Sequence, residues 1–127
     1  MRDVLLLLQH PYIQPISHFD MLAEQNQVVV MSTLSVKGSA RDLLHSANPI
    51  VDVDRKYRLK AKPMPLKRIA VVGRQVLEAL AFLKKRKFAY RHLHAGNVIL
   101  MDGMFKISGI EQQYFGHKHK DDKLIVK

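Results

Sequence analysis

An arginine, two histidines, a glycine and an asparagine crowd into YRHLHAGNVIL (90–100), directly ahead of a short apolar run. Polar residues gathered before a strand-like segment are a common form of active site. Imidazole titrates near neutral pH, so His92 or His94 could accept a proton from a substrate hydroxyl. The two rings also stand two residues apart, and His117 and His119 repeat that spacing. On an extended strand such a pair shares one face, as a histidine-rich zinc site requires. The first pair falls in a predicted loop, however, and the second in a polar tail. Backbone groups and solvent satisfy imidazoles in such places, so no metal site is expected from them.

The elements around this loop decide what it can do. Upstream, Pro65–Lys87 has the clearest helical pattern. Ile69, Val72, Val76, Leu80 and Leu83 recur at three- and four-residue steps, and Leu77 widens the stripe. Pro65 suits a first-turn position, and KKRK (84–87) places positive charge at the negative end of the helix dipole. Downstream, Val98–Met101 and Met104–Ser108 flank Asp102-Gly103, a strong hairpin turn signal. Earlier still, Ile13–Leu22 and Val28–Leu34 read as two strands joined by the polar turn AEQNQ (23–27). The apolar segment 1–9 closes at His10-Pro11, and SVKGS (35–39) leads to a short helix, Ala40–Ser46. Residues 47–64 form an exposed excursion with the basic cluster RKYRLKAK (55–62).

The 127 residues make one domain at most, with 47% hydrophobic and 25% charged residues, an ordinary globular balance. No cysteine is present, which excludes disulfides and thiol chemistry. Val4–Leu8 is too short for a signal core of about 7–15 residues or a span of about 20, so a cytoplasmic protein is expected. The formal charge of +10 favours an acidic partner. One such partner is nucleic acid, but no basic motif interleaved with aromatics supports that alternative.

Taken in order, these features resemble a protein kinase. The kinase catalytic loop reads H-R-D-L-x-x-x-N, followed by a hairpin and D-F-G. Arg91, Leu93 and Asn97 keep that spacing, and Phe105-Lys106-Ile107-Ser108 follows as the second strand should. HPYI (10–13), VVVM (28–31) and KGSARDLL (37–44) resemble the kinase stretch from the end of helix C to helix D. GRQVLEALAFL (73–83) with HLHAGNV (92–98) is similar, more narrowly, to the PX-domain-containing kinase-like and slowpoke-binding family. The implied fold is α+β and kinase-like but incomplete: the end of the N-lobe sheet, hinge, helices D and E, and the catalytic-loop hairpin. Residues 1–116 would form this partial domain and 117–127 a basic polar tail. The glycine-rich loop, the third-strand lysine and the activation segment would lie outside the 127 residues. They are therefore expected to be a central piece of a pseudokinase domain.

The resemblance also implies what has been lost. Phosphoryl transfer depends on positioning and charge neutralisation. His92 stands where the catalytic aspartate belongs, and Gly109-Ile110-Glu111 where D-F-G belongs. Gly109 has no ligand atom for magnesium. Glu111 lies two residues on, displaced by more than about 6 Å if the chain there stays extended. Asn97 alone is a remnant of the metal site, since magnesium usually takes one or two carboxylates besides phosphate. Catalysis is not expected from the degenerate loop Arg91, His92, His94 and Asn97, and no cofactor or metal is expected. Met31, Ser32, Thr33 and Leu34 would form the hinge that meets an adenine, so weak ATP binding or residual kinase activity is the alternative. The family name implies a protein partner, a calcium-activated, slowpoke-type potassium channel, through which the chain would be membrane-associated. Arg55, Lys56, Arg58 and Lys60, with Lys84, Lys85, Arg86 and Lys87, would supply an acidic-docking surface.

Overall fold

The computed structural model describes residues 2–115; the expected tail and its histidines His117 and His119 lie outside them. Helix α1 (Arg2–Leu7) leads into a hairpin of β1 (Ile16–Leu22) and β2 (Gln27–Ser32). A linker reaches α2 (Ala40–Leu44), then a strap holding one helical turn, α3 (Val53–Lys56), then the long α4 (Leu66–Lys85). A polar loop connects α4 to a second hairpin, β3 (Val98–Met101) and β4 (Met104–Ile107). A 3-10 turn, Ile110–Phe115, follows. Each hairpin is a separate two-stranded antiparallel sheet, which gives an α+β arrangement in the expected order.

The first strand starts three residues later than its apolar pattern predicts. Pro15 has no N–H to give a ladder, so pairing with β2 begins at Ile16. Ile13 joins the other sheet instead. Gln14 N–H donates to the Ile107 carbonyl at 2.8 Å, and Ile107 N–H to the Tyr12 carbonyl at 2.9 Å. The segment after α1 is thereby stitched to β4, and Ile13 and Ile107 meet in the core. The second strand stops at Ser32, short of the predicted Leu34, and Thr33 and Leu34 become linker.

Helix α4 keeps most of its predicted face, since Val72, Val76, Leu80 and Leu83 pack into the cores, but its two edges differ. Ile69 is 50% exposed and Leu77 67% exposed, whereas Gln75, Ala79 and Leu83 are buried. Small Ala79, fully buried, extends the packed face and shares one core with Ile107 of β4. Gln75 lies on the same face, its Oε1 accepting the Phe105 N–H at 2.8 Å. Pro65 precedes the helix rather than entering it, with an extended ψ of 141° and a carbonyl that accepts from Ile69 N–H. At the other end Lys87 adopts φ 57°, Lys87 N–H donates to Lys84 O, and Phe88 N–H to Leu83 O. That is the paired bonding of a Schellman stop, sealed by burial of Leu83 and Phe88 in one core. KKRK therefore spans the helix end and its exit, and Arg86 lies over the Phe82 ring at 3.9 Å.

The larger core joins Leu5 of α1, Leu8 just beyond it, Phe19 of β1, Ala79 and Leu83 of α4, and Ile107 of β4. A smaller one joins Ala40, Val98 and Phe105. The strap at 47–62 is tied down more firmly than an exposed excursion. Asp42 of α2 is 4% exposed and accepts hydrogen bonds from Ser39 N–H (2.8 Å), Ser39 Oγ (2.9 Å) and Tyr57 OH (2.8 Å). Lys56 Nζ pairs at 3.2 Å with Oδ1, the oxygen that Tyr57 also uses. Arg41 stacks on Tyr57, and Lys62 N–H reaches the Leu44 carbonyl. Burial alone would raise the Asp42 pKa, but the Ser39, Tyr57 and Lys56 donors outweigh it and hold the carboxyl below its ordinary value.

Candidate functional site: the loop between helix α4 and the second hairpin

Residues 86–97 leave α4 through Phe88 and close on the second hairpin through Asn97. Asp102 and Gly103, with φ of 55° and 73°, make the two-residue turn that the sequence signals. The strand expected to run to Ser108 stops at Ile107, because Ser108 turns back to the loop. Its N–H donates to the Asn97 carbonyl at 2.8 Å and its hydroxyl to the same oxygen at 3.1 Å. Asn97 Nδ2 donates to the His92 carbonyl at 2.8 Å, and Asn97 N–H to the His94 carbonyl at 2.8 Å. Asn97 is thus a four-way staple across the loop.

Tyr90, half-buried, completes this lattice. Its hydroxyl donates to the Ser108 carbonyl at 2.7 Å, with the His92 carbonyl 3.1 Å away. Burial pushes the phenol far above its ordinary pKa, the Glu111 carboxylate adds to the rise, and the Asn97 amide opposes it. The hydroxyl is therefore a fixed donor and no base. His92 is 7% exposed, its ring edge-on to Tyr90. His94 turns its Nδ1 inward to accept the Gly96 N–H at 3.1 Å, and Arg91 is exposed.

Gly109 has φ 71°, a conformation that side-chain-bearing residues rarely adopt. A Cβ placed there would stand 3.6 Å from Asn97 Nδ2 and 3.2 Å from the Gln112 side chain. The two positions expected to share a magnesium ion are therefore neighbours. They do not fit the metal, because one is a neutral amide bonded to His92 and the other has no side chain. Gln112, whose N–H donates to the Gly109 carbonyl at 3.2 Å, fills the adjoining space. The chain beyond Gly109 is not extended, as the displacement of Glu111 assumes, but winds from Ile110 into the 3-10 turn at about 2.0 Å per residue. Among the described residues no group of three or more His, Asp or Glu could hold a metal ion.

The hinge expectation falls on a cavity of about 340 Å³. Ser32, Thr33 and Leu34 line it together with Gly96, Ile99 and, from the strap, Lys56 and Tyr57. Met31, 55% exposed, is not part of it. The basic residues divide in the same way. Arg55, Arg58, Lys60, Lys84, Lys85, Arg86 and Lys87 are exposed, whereas Lys56 is committed to Asp42. Gln75 and the Asp42 cluster escape a reading by apolar periodicity. For Asp42 a signal existed, since Ser39-x-x-Asp42 has the spacing of a capping box and forms one.

No family model matches the chain. It is 38% identical over 117 residues to the slowpoke-binding protein of Drosophila melanogaster, covering 90% of this chain and 23% of that protein. It is 33% identical over 109 residues to the PX domain-containing protein kinase-like protein of Rattus norvegicus, covering 84% of this chain and 18% of that one. A probable inactive serine/threonine-protein kinase of Dictyostelium discoideum, slob2, matches at 34% over 108 residues, with 84% and 19% covered. The chain thus spans about a fifth of the length of these curated relatives. Among solved structures, the PknI kinase domain of Mycobacterium tuberculosis superposes with a TM-score of 0.64 at 17% identity. That match covers 84% of this chain and 38% of the other, and it shows the protein kinase fold. No described helix is long and apolar enough to cross a membrane. Over the segment it spans, the chain is homologous to the slowpoke-binding and PX domain-containing kinase-like proteins and to a probable inactive kinase.

Proposed function

We propose that this segment belongs to a pseudokinase, a kinase-like protein that binds and regulates a partner without transferring phosphate. The observation that carries the reading is Gly109 beside Asn97, where a metal-holding carboxylate would be needed and Gln112 stands instead. His92 in place of the catalytic aspartate supports it, because its ring is buried, edge-on to Tyr90. The partner in this reading is a protein, a slowpoke-type calcium-activated potassium channel, as one relative's name suggests. The exposed cations Arg55, Arg58, Lys60 and Lys84 to Lys87 would meet an anionic surface.

The test is a phosphoryl-transfer assay on the intact protein, alongside capture of the channel's cytoplasmic region. Channel capture with no magnesium-dependent transfer of the γ-phosphate is the expected result. Magnesium-dependent transfer by the intact protein would overturn the inactive assignment, and absence of capture would remove the channel. The cavity beside Ser32, Thr33 and Leu34 favours a second reading, weak adenine-nucleotide binding. A thermal shift with millimolar ATP that is indifferent to magnesium would support it.

A further inference from the structure

We infer that the strap, residues 47–62, is a contact for an anionic lipid surface. It goes beyond the reading above, which leaves the strap's exposed cations with an unspecified anionic surface, and gives that surface a chemistry.

The strap has two sides because α2 holds it from within. Lys56 and Tyr57 turn inward to Asp42, His45 Nδ1 lies 2.7 Å from the Leu59 carbonyl, and Lys62 N–H bonds to Leu44. With those residues pinned, their neighbours project outward. Ile50 is 87% exposed, Val53 68% and Leu59 67%, and Val51 is also exposed. The Asn48 side chain accepts the Ile50 N–H at 3.0 Å, and Val51 N–H bonds to the Asn48 carbonyl. Ile50 is therefore presented on a closed turn.

Arg55, Arg58, Lys60 and Lys62 are exposed around these apolar residues. Asp52 and Asp54 oppose them, which leaves four exposed cations against two carboxylates once Lys56 is assigned to Asp42. Protruding aliphatic side chains ringed by Arg and Lys suit the headgroup boundary, where apolar tips enter and cations stay with phosphate and carboxylate. An acidic protein segment would satisfy the cations, but it would leave Ile50, Val53 and Leu59 without a recess. None of the three lines the cavity on the strap's inner side.

The experiment is co-sedimentation of the intact protein with phosphatidylcholine vesicles, with and without phosphatidylserine. The protein should bind phosphatidylserine vesicles, and binding should fall about fivefold for each of Arg55→Gln, Arg58→Gln and Lys60→Gln, as expected for cations at an anionic surface. Ile50→Asp with Val53→Asp should lower it at least tenfold, while Lys37→Gln, an exposed lysine outside the strap, should not change it. All these side chains are exposed, so unaltered thermal melts should accompany the variants. Vesicle binding that ignores the Ile50 and Val53 pair would overturn the inference. So would strap-dependent capture by polyglutamate in preference to vesicles, and that result would leave the pseudokinase reading in place. Phosphoryl transfer would sink that reading without touching vesicle binding.

Discussion

Replacing Asp42 by alanine tests whether the strap is built into the fold. The carboxylate is nearly buried and accepts from Ser39 N–H, Ser39 Oγ and Tyr57 OH while pairing with Lys56. Hydrogen bonds to a charged group are worth about 1.5–3 kcal/mol each, but they share one carboxylate and do not add. Removing one member of a buried pair costs roughly 3–5 kcal/mol when the other stays buried. Lys56, 12% exposed, can swing partly back to water, which lowers the expected cost to about 3 kcal/mol. With a urea m-value of about 1.5 kcal/mol/M, the unfolding midpoint of the intact protein should drop by roughly 2 M. Adding Lys56→Met should recover part of the loss, about 1 kcal/mol, because no unpaired ammonium remains. The pH dependence has a definite sign. The folded pKa lies below the ordinary 3.8, so the contribution is present above that value and is lost as pH falls through the folded pKa. A loss under 1 kcal/mol for Asp42→Ala, or no recovery in the double variant, would refute this account of the strap.

Two further substitutions test the placement of α4. Gln75→Leu should cost about 1–3 kcal/mol in denaturant melts, since the Phe105 N–H it serves is buried and would be left without an acceptor; a neutral result would mean that Gln75 is dispensable to the packing. Lys87→Gly should raise stability by about 0.5–1 kcal/mol, because φ 57° strains lysine and suits glycine; destabilisation would contradict the Schellman geometry.

Local signals were legible where local physics decides the outcome. Asp102-Gly103 has few alternatives to a tight hairpin turn, and the residue order from His10-Pro11 to Ile107 carries the kinase-like arrangement. Face and depth were not legible, because tertiary partners set them. Ile69 and Leu77 satisfy the helical period as well as Leu83 does, yet they lie exposed while Val72, Val76 and Leu80 pack into the cores. The strap reads as exposed because Lys56 and Tyr57 meet a carboxylate 14 and 15 residues earlier, beyond the reach of any local pattern. Pro15 was a local signal passed over, for a residue without an N–H interrupts a ladder wherever it stands.

Asn97 has a place in this loop that needs no metal. Its side-chain amide, backbone N–H and carbonyl engage His92, His94 and Ser108, tying the loop to the strand that follows. Tyr90 fastens the same strand end from the helix side. A carboxylate at Gly109 takes no part in these bonds, and neither does the imidazole of His92, whose carbonyl is the group in use. The frame of this loop therefore needs no carboxylate at either position, because it rests on backbone acceptors. The polar crowding that marks the segment as an active site belongs largely to that frame.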